Sequence, residues 1–160
     1  MTGQERYTME EASLKLAKDF NGRAWQLLDK SGRTPAEDEE LVLAATASHY
    51  LWLQVGTIVH AQRAHWLLAH IHAALSNGDL ALQHAVRCME LSVANASQME
   101  DFDLAYAHEA MARAHALQGN LAEARKYRTE ADRLGHAISD PEDQQIFLSD
   151  LQGGDWHNLD

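Results

Sequence analysis

Two short segments decide the fold, because each marks a chain reversal between two Ala-rich helical patterns. They begin at positions 76 and 117, 41 residues apart, and read Ser76-Asn77-Gly78-Asp79-Leu80-Ala81 and Leu117-Gln118-Gly119-Asn120-Leu121-Ala122. In each segment the glycine can take the left-handed conformation that ends a helix, and the Asp or Asn after it can cap the next helix. We therefore predict helix-turn-helix repetition, an architecture that most often builds surfaces for binding other molecules.

Cap and turn signals upstream of these segments predict two further helices. Thr8 can cap a first helix that extends to about Lys30, and Thr34-Pro35-Ala36-Glu37 is a strong start signal for a second helix that runs toward Val55. Gly56-Thr57 could lie inside one long helix or form a turn. We predict a turn, because an unbroken helix from 35 to 76 would be roughly 60 Å long, too long for a compact domain of this size.

The rest of the chain completes an all-α fold of about seven helices. The later helices are predicted at about 58–76, 79–97, 102–118 and 121–138, with a short seventh helix starting at Asp140-Pro141. No segment alternates apolar and polar residues with β-branched enrichment, so we predict no strands. We expect one domain over residues 1–152 and an acidic tail over residues 153–160, in which Trp156 either packs back or stays free to meet a partner.

Composition narrows the classes of partner. The chain has 160 residues, 46% of them hydrophobic, and a formal net charge of −11, which argues against nucleic acid and anionic membranes as partners. Cys88 is the only cysteine, and the first six residues lack the basic-then-apolar pattern of a signal peptide, so we expect a cytoplasmic protein without disulfides. The uncharged run 41–62 contains His49, Gln54 and His60, which favours a buried helical hairpin over a membrane span.

Residues 105–138 resemble a tetratricopeptide repeat, a pattern that has small residues where paired helices cross and a glycine at the turn. Those places are filled by Ala112, Gly119, Ala124 and Ala131. The sequence departs from the pattern at His108, Arg128 and His136. Residues 48–52 and 102–110 also look like those of uncharacterised bacterial proteins in this repeat class. The resemblance implies stacked antiparallel hairpins in a right-handed α-superhelix, and a binding or scaffold module for protein or peptide partners without catalytic activity.

In the resembled repeat, the first helix of each pair faces a concave groove. Counting from the turn glycines places six residues in that groove: His65, Leu68, His72, Tyr106, Glu109 and Arg113. These residues differ from the Lys- and Asn-rich groove with which some relatives hold a peptide carboxylate, so we do not transfer that ligand. Glu109 and Arg113 lie at i, i+4 and are either a helix-stabilising pair or a charge pair offered to a ligand.

Histidines are concentrated in the centre of the chain. The interval from Leu41 to Val86 holds one acid, one base and six of the ten histidines. We expect most of these imidazoles to be buried, neutral and hydrogen-bonded, with a ligand pocket or a self-association surface as alternatives. Protonation of such a cluster would make stability or assembly sensitive to pH. A homodimer through these charge-poor helices is a further expectation.

Few residues here point to chemistry. His49 and Trp52 lie at i, i+3 and mark the first place where we expect a pocket, whereas Trp25, Trp52 and Trp66 are themselves expected to be core anchors. His84 and Cys88 form the only His/Cys pair at i, i+4 and are weak metal candidates, because two ligands do not make a site. We predict no cofactor and no catalytic residue. The alternative is a small-molecule- or metal-binding enzyme that uses the His-rich centre: His49, His65, His72, His84 and Glu109.

Overall fold

The structure, a computed structural model, describes residues 5–159, and within that range every regular element is a helix. The seven α-helices are α1 (Met9–Leu28), α2 (Pro35–Val55), α3 (Ile58–Ala74), α4 (Gly78–Ala94), α5 (Asp101–Leu117), α6 (Leu121–His136) and α7 (Pro141–Gln152). A short 3-10 helix, Ala96–Gln98, precedes α5. The prediction of an all-α fold with about seven helices is confirmed. None of the described helices is long and apolar enough to cross a bilayer.

Local sequence explains where the first two helices begin. The Thr8 hydroxyl accepts a hydrogen bond from the Glu11 amide at 3.1 Å, and the Glu11 carboxylate accepts one from the Thr8 amide at 2.8 Å. Thr34 and Glu37 make the same reciprocal pair at the start of α2, at 3.2 and 2.9 Å. Each capping box satisfies two amides that have no partner inside the helix, so the boundary is encoded by four residues.

The two echoing turns differ in detail. Gly119 has a φ of +77°, as predicted, but the left-handed residue of the earlier turn is Ser76, at +58°, and Gly78 is the first residue of α4.

Asn77 caps α4 by accepting a hydrogen bond from the Leu80 amide at 3.3 Å, so the assignment of capping to Asp79 was wrong. Asp79 instead accepts a hydrogen bond from Gln118 at 2.9 Å. A Cβ on Gly78 would come within 3.0 Å of Gln118 Cγ, so the two turns lie against each other and Gly78 serves packing.

Gly56 ends α2, so the predicted turn between α2 and α3 is confirmed. Its backbone is extended, and a Cβ there would lie 2.6 Å from the Trp52 carbonyl oxygen. Glycine is therefore required by close approach of the backbone and not by a left-handed conformation.

Consecutive helices pack as hairpins, α1 with α2, α3 with α4 and α5 with α6, and the hairpins stack through α2–α3 and α4–α5. Contacts also join α3 to α5 and α5 to α7, so α5 lies beside both α3 and α7. Ala112, Ala124 and Ala131 are fully buried, as expected for residues that allow backbones to approach closely. Right-handed superhelical stacking stays a prediction.

The C-terminal segment packs back onto the domain. Trp156 is only 8% exposed and joins the core with Leu159, Phe147 and Ile138. Its indole N–H donates to the Leu151 carbonyl at 3.1 Å. Of the two alternatives for Trp156, the structure selects the packed one, because its ring is too large and apolar to leave exposed beside an open helix layer.

Candidate functional site

Two adjoining cavities form a groove lined mainly by α3 and α5, with further residues from α1, α2, α7 and the segment after α7. Their volumes are about 420 and 490 Å³, and both are lined by Trp25, Trp66, Tyr106 and Asp150. The first cavity adds Trp52, His60, Arg63, Phe102 and Asp103 among others. The second adds His70, Arg113, Asp155 and His157, together with Gly153 and Gly154. We call the two cavities together the aromatic groove.

A chain of aromatic contacts runs along this groove. The Trp25 and Trp66 ring centroids are 5.9 Å apart, and Tyr106 meets Trp66 edge-on at 5.1 Å. Tyr106 also meets Phe147 of α7 edge-on, at 4.7 Å. Such tilted and edge-to-face arrangements are favourable for aromatic quadrupoles, so helices α1, α3, α5 and α7 are linked by ring contacts.

The Tyr106 hydroxyl connects the aromatic chain to a carboxylate. It donates to Asp150 at 2.6 Å. Burial, followed by that hydrogen bond, raises the pKa of Tyr106 well above its usual value, so the phenol stays protonated at any physiological pH. Asp150 is thereby held at the boundary between the two cavities.

Glu109 lies beneath the groove and is 1% exposed. Its carboxylate accepts from Trp66 Nε1 at 3.3 Å, lies 3.1 Å from His70 Nε2, and is bonded to Arg113 Nε. Burial alone would raise the pKa of Glu109, but His70 and Arg113 lower it to about 2. The carboxylate is therefore ionised at neutral pH, with three protein groups as its partners.

Arg113 joins this network to the C-terminal segment. Its Nη2 donates to the carbonyls of Asp150 and Gly153 at 2.8 and 2.9 Å, and its Nη1 donates to that of Asp155 at 3.3 Å. The guanidinium carbon lies 4.1 Å from the Trp156 ring centroid. Gly154, at a φ of +75°, passes so close that a Cβ there would lie 2.9 Å from Arg113 Nη1. Arg113 thus satisfies carbonyls at the end of α7 that have no helical partner.

A second ion pair lies in the wall of the first cavity. Arg63 Nε and Nη2 donate to the Asp103 carboxylate at 2.9 and 3.1 Å. The Arg63 guanidinium also lies over Phe102, 5.2 Å from the ring centroid. Asp103 is buried and, by accepting from the Glu100 amide at 2.9 Å, also takes part in capping α5. This bidentate pair fixes the spacing of α3 and α5 at one end of the groove.

Four histidines form a separate cluster outside the aromatic groove. His65 meets His49 edge-on at 4.5 Å between centroids, and His84 lies 5.3 Å from His65 and 5.5 Å from His72. The Nδ1 atoms of His65 and His84 are 3.0 Å apart, so one ring donates and the other accepts. Burial, aided by the neighbouring imidazoles, lowers the pKa of His65 and of His84 to about 4. These two rings are therefore neutral at pH 7, and among the described residues the hydrogen bond between them is the one recorded within the cluster.

The six predicted groove residues do not share one surface. Tyr106 and Arg113 line the aromatic groove, Glu109 lies beneath it, and Leu68 is a core residue. His65 and His72 belong to the histidine cluster instead. On α5 the predicted positions lie at the groove, although Glu109 is buried beneath it. On α3 the predicted positions are displaced by two residues from those that line the groove, Arg63, Trp66 and His70. Two residues rotate a helical position by about 200°, which sends a side chain to the opposite face.

The two residues of the predicted pocket, His49 and Trp52, also lie on different surfaces. Trp52 stacks on His60 at 4.1 Å and lines the first cavity, whereas His49 contacts His65 in the cluster. The expectation that the three tryptophans are core anchors also needs correction. Trp25 is 36% exposed, and Trp52 and Trp66 are half-buried in the groove wall.

The weak metal candidates, His84 and Cys88, have different surroundings. Cys88 is fully buried, and burial raises the pKa of its thiol to about 12, so it is a protonated core side chain. His84 faces His65 and His72 instead. Over residues 5–159 no group of three or more His, Cys, Asp or Glu side chains is arranged to hold a metal ion.

Sequence reasoning did not assign several groove residues to a site, and it expected Trp25 and Trp66 to be core anchors. The unassigned residues include Arg63, His70, Phe102, Asp103 and Asp150. A signal for part of the set was present, because Arg63, Trp66 and His70 follow one helical face of α3 at i, i+3 and i+7. Asp150 carried no such signal, since only the docking of α7 brings it to Tyr106. A scan against models of protein families, a search of curated proteins and a search of solved structures each found no match to this chain.

Proposed function

We propose that this protein is a TPR-like binding module whose aromatic groove holds a segment of a protein or peptide partner. The observation that carries the proposal is the pair of adjoining cavities that share Trp25, Trp66 and Tyr106. Each cavity is within the size range of ligand pockets, roughly 300–1,000 Å³. Tryptophan and tyrosine are also the residues that most often contribute the largest share of binding energy at protein interfaces.

The ion pairs of the groove favour binding over chemistry. Glu109 is held by Trp66, His70 and Arg113, and Asp103 is held by Arg63. These groups stiffen the groove walls, which lowers the entropy lost when a partner is bound. The alternative of an enzyme in the His-rich centre requires Glu109 to act with the four clustered histidines. None of those histidines lines the groove above Glu109.

As part of the same proposal, the module acts in the bacterial cytoplasm and does not engage nucleic acid or membranes. Its net charge of −11 opposes attachment to polyanions. A lone buried thiol at Cys88 suits a reducing compartment. Self-association is supported by the uncharged stretch of α2, which exposes Leu43, Tyr50 and Leu53.

The binding proposal is tested by selecting random displayed peptides of about a dozen residues against the full chain, a length suited to an extended or helical segment in a groove. We expect enriched peptides whose affinity falls by about tenfold or more in the Trp25→Ala variant, since truncation of a binding tryptophan often costs at least ~2 kcal/mol. Tyr7→Ala is the matched control, because Tyr7 is 49% exposed and lies outside the groove. Failure to enrich any peptide, or enrichment that is indifferent to Trp25, would contradict the proposal.

A further inference from the structure

The charges of the aromatic groove do not cancel. Its two arginines are both engaged by carboxylates, Arg63 by Asp103 and Arg113 by the buried Glu109. Two other acidic residues line the groove, Asp150 and Asp155. Asp155 lies 3.4 Å from His157, whereas Asp150 has no ion pair among residues 5–159. Among residues 5–159, the groove thus presents the carboxylate of Asp150, and beside it that of Asp155, while both of its guanidinium groups are paired.

Asp150 also has a distinctive position. It is one of the four residues that line both cavities, and the other three are aromatic: Trp25, Trp66 and Tyr106. Its Oδ2 accepts the Tyr106 hydroxyl at 2.6 Å. A carboxylate beside aromatic rings matches the chemistry of a cationic side chain, whose charge is attracted both by the carboxylate and by the negative faces of the rings.

We propose that the groove receives a partner segment that carries a lysine or arginine next to an apolar side chain. The cation lies at Asp150 among Trp25, Trp66 and Tyr106, and the apolar neighbour enters the first cavity beside Trp52 and Phe102. This inference rests on the proposed binding function and specifies its partner. An acidic segment is disfavoured, because it would meet Asp150 and Asp155 on a chain of net charge −11.

The chain already uses this chemistry for its own C-terminal segment. The guanidinium carbons of Arg113 and Arg128 both lie over the Trp156 ring, at 4.1 and 4.4 Å from its centroid. Arg113 is bonded at the same time to the Glu109 carboxylate. A guanidinium held by one carboxylate and one indole is therefore a geometry that these helices support.

The test uses the peptides selected against the full chain as probes. We expect the enriched sequences to place Lys or Arg beside an aliphatic or aromatic residue. Replacing that arginine by citrulline, a neutral isostere, should weaken binding by about tenfold, and added salt should weaken the arginine peptide more than the citrulline peptide. Isothermal titration calorimetry measures both affinities.

Two variants of the protein locate the cation. Asp150→Asn should weaken the arginine peptide by about 3- to 10-fold and leave the citrulline peptide unaffected, because asparagine still accepts the Tyr106 hydroxyl but carries no charge. Glu142→Gln is the matched control, since it removes one negative charge from an exposed position of α7 outside the groove. It should bind both peptides as the wild type does.

The failures of the two proposals are distinguishable. Peptides that depend on Trp25 but carry no basic residue would overturn this inference and leave the binding function in place. Unchanged affinity in Asp150→Asn would likewise overturn the placement of the cation. The absence of any peptide that depends on Trp25 would overturn both proposals.

Discussion

At the scale of single residues, the interpretation of Glu109 and Arg113 differs most between the sequence and the structure. As an i, i+4 pair on a helix they suggest either weak helix stabilisation or a charge pair for a ligand. The structure buries both, 1% and 8% exposed, and ties them to α3 and to the carbonyls after α7. Their role is therefore tertiary, because they join three separate parts of the chain.

Glu109→Ala should destabilise the protein by about 3–5 kcal/mol, because it leaves Arg113 buried without its carboxylate. Urea unfolding followed by circular dichroism measures this loss. The matched control is Glu130→Ala, which breaks the exposed Glu130–Arg133 pair on α6 and should change the unfolding midpoint little. Equal effects of the two substitutions would show that the buried network does not stabilise the fold.

At the scale of helices, two glycines in helical backbone have opposite surroundings. Gly22 of α1 is exposed, and a Cβ there would meet nothing within 4 Å. Gly135 of α6 is buried, and a Cβ there would lie 2.5 Å from the Phe147 ring of α7. Sequence alone treats the two alike, as costly residues in a helix, whereas packing makes one dispensable and the other necessary for docking α7.

Gly22→Ala should raise the free energy of unfolding by about 0.4–1 kcal/mol, because alanine loses less backbone entropy on folding and has room. Gly135→Ala should lower it by about 1–3 kcal/mol, because the methyl group collides with a fully buried ring. Thermal melting of the two variants beside the wild type compares them directly. Stabilisation by Gly135→Ala would contradict the packing of α7 on α6.

At the scale of the whole molecule, the stacked helices form two separate groups of side chains, the aromatic groove and the cluster of four histidines. The aromatic groove is built mainly from α3 and α5, with residues from α1, α2 and α7, and the histidine cluster is built from α2, α3 and α4. We expect the two to respond to different conditions: the proposed binding in the groove depends on partner and salt, and the stability that the cluster gives depends on pH. The prediction of pH-sensitive stability consequently belongs to the cluster.

Stability should fall as the pH falls from about 7 toward 4. Burial lowers the pKa of His65 and His84 to about 4, against about 6.5 in an unfolded chain, so the unfolded state binds more protons in that window. The stabilisation that the neutral imidazoles give is therefore complete above a pH of about 6.5 and is lost progressively as the pH falls from there to about 4. After allowing for solvent screening, the loss from pH 7 to 5 is about 1–2 kcal/mol, or roughly 3–8 °C in melting temperature.

Melting curves between pH 5 and 8 measure this dependence. His84→Gln should reduce it, because one titrating ring is removed from contact with His65 and His72. His136→Gln, an exposed histidine of α6, should keep the wild-type slope. A melting temperature that is flat across this range would exclude the cluster as a pH-sensitive element.

The sequence by itself determined the helices and most of their boundaries. Thr8 with Glu11 and Thr34 with Glu37 encode two helix starts within four residues each, and Gly56 and Gly119 encode two ends. These signals are readable because their physical causes, capping bonds and backbone conformation, act between near neighbours.

Only the tertiary structure decided which helix faces meet. A displacement of two residues on α3 separates His65 and His72 from the groove formed by Arg63, Trp66 and His70, and helical periodicity alone did not fix that register. Asp150 reaches Tyr106 through the docking of α7, across 44 residues of sequence. Contacts over such distances depend on packing of the whole stack, so no local pattern could have revealed them.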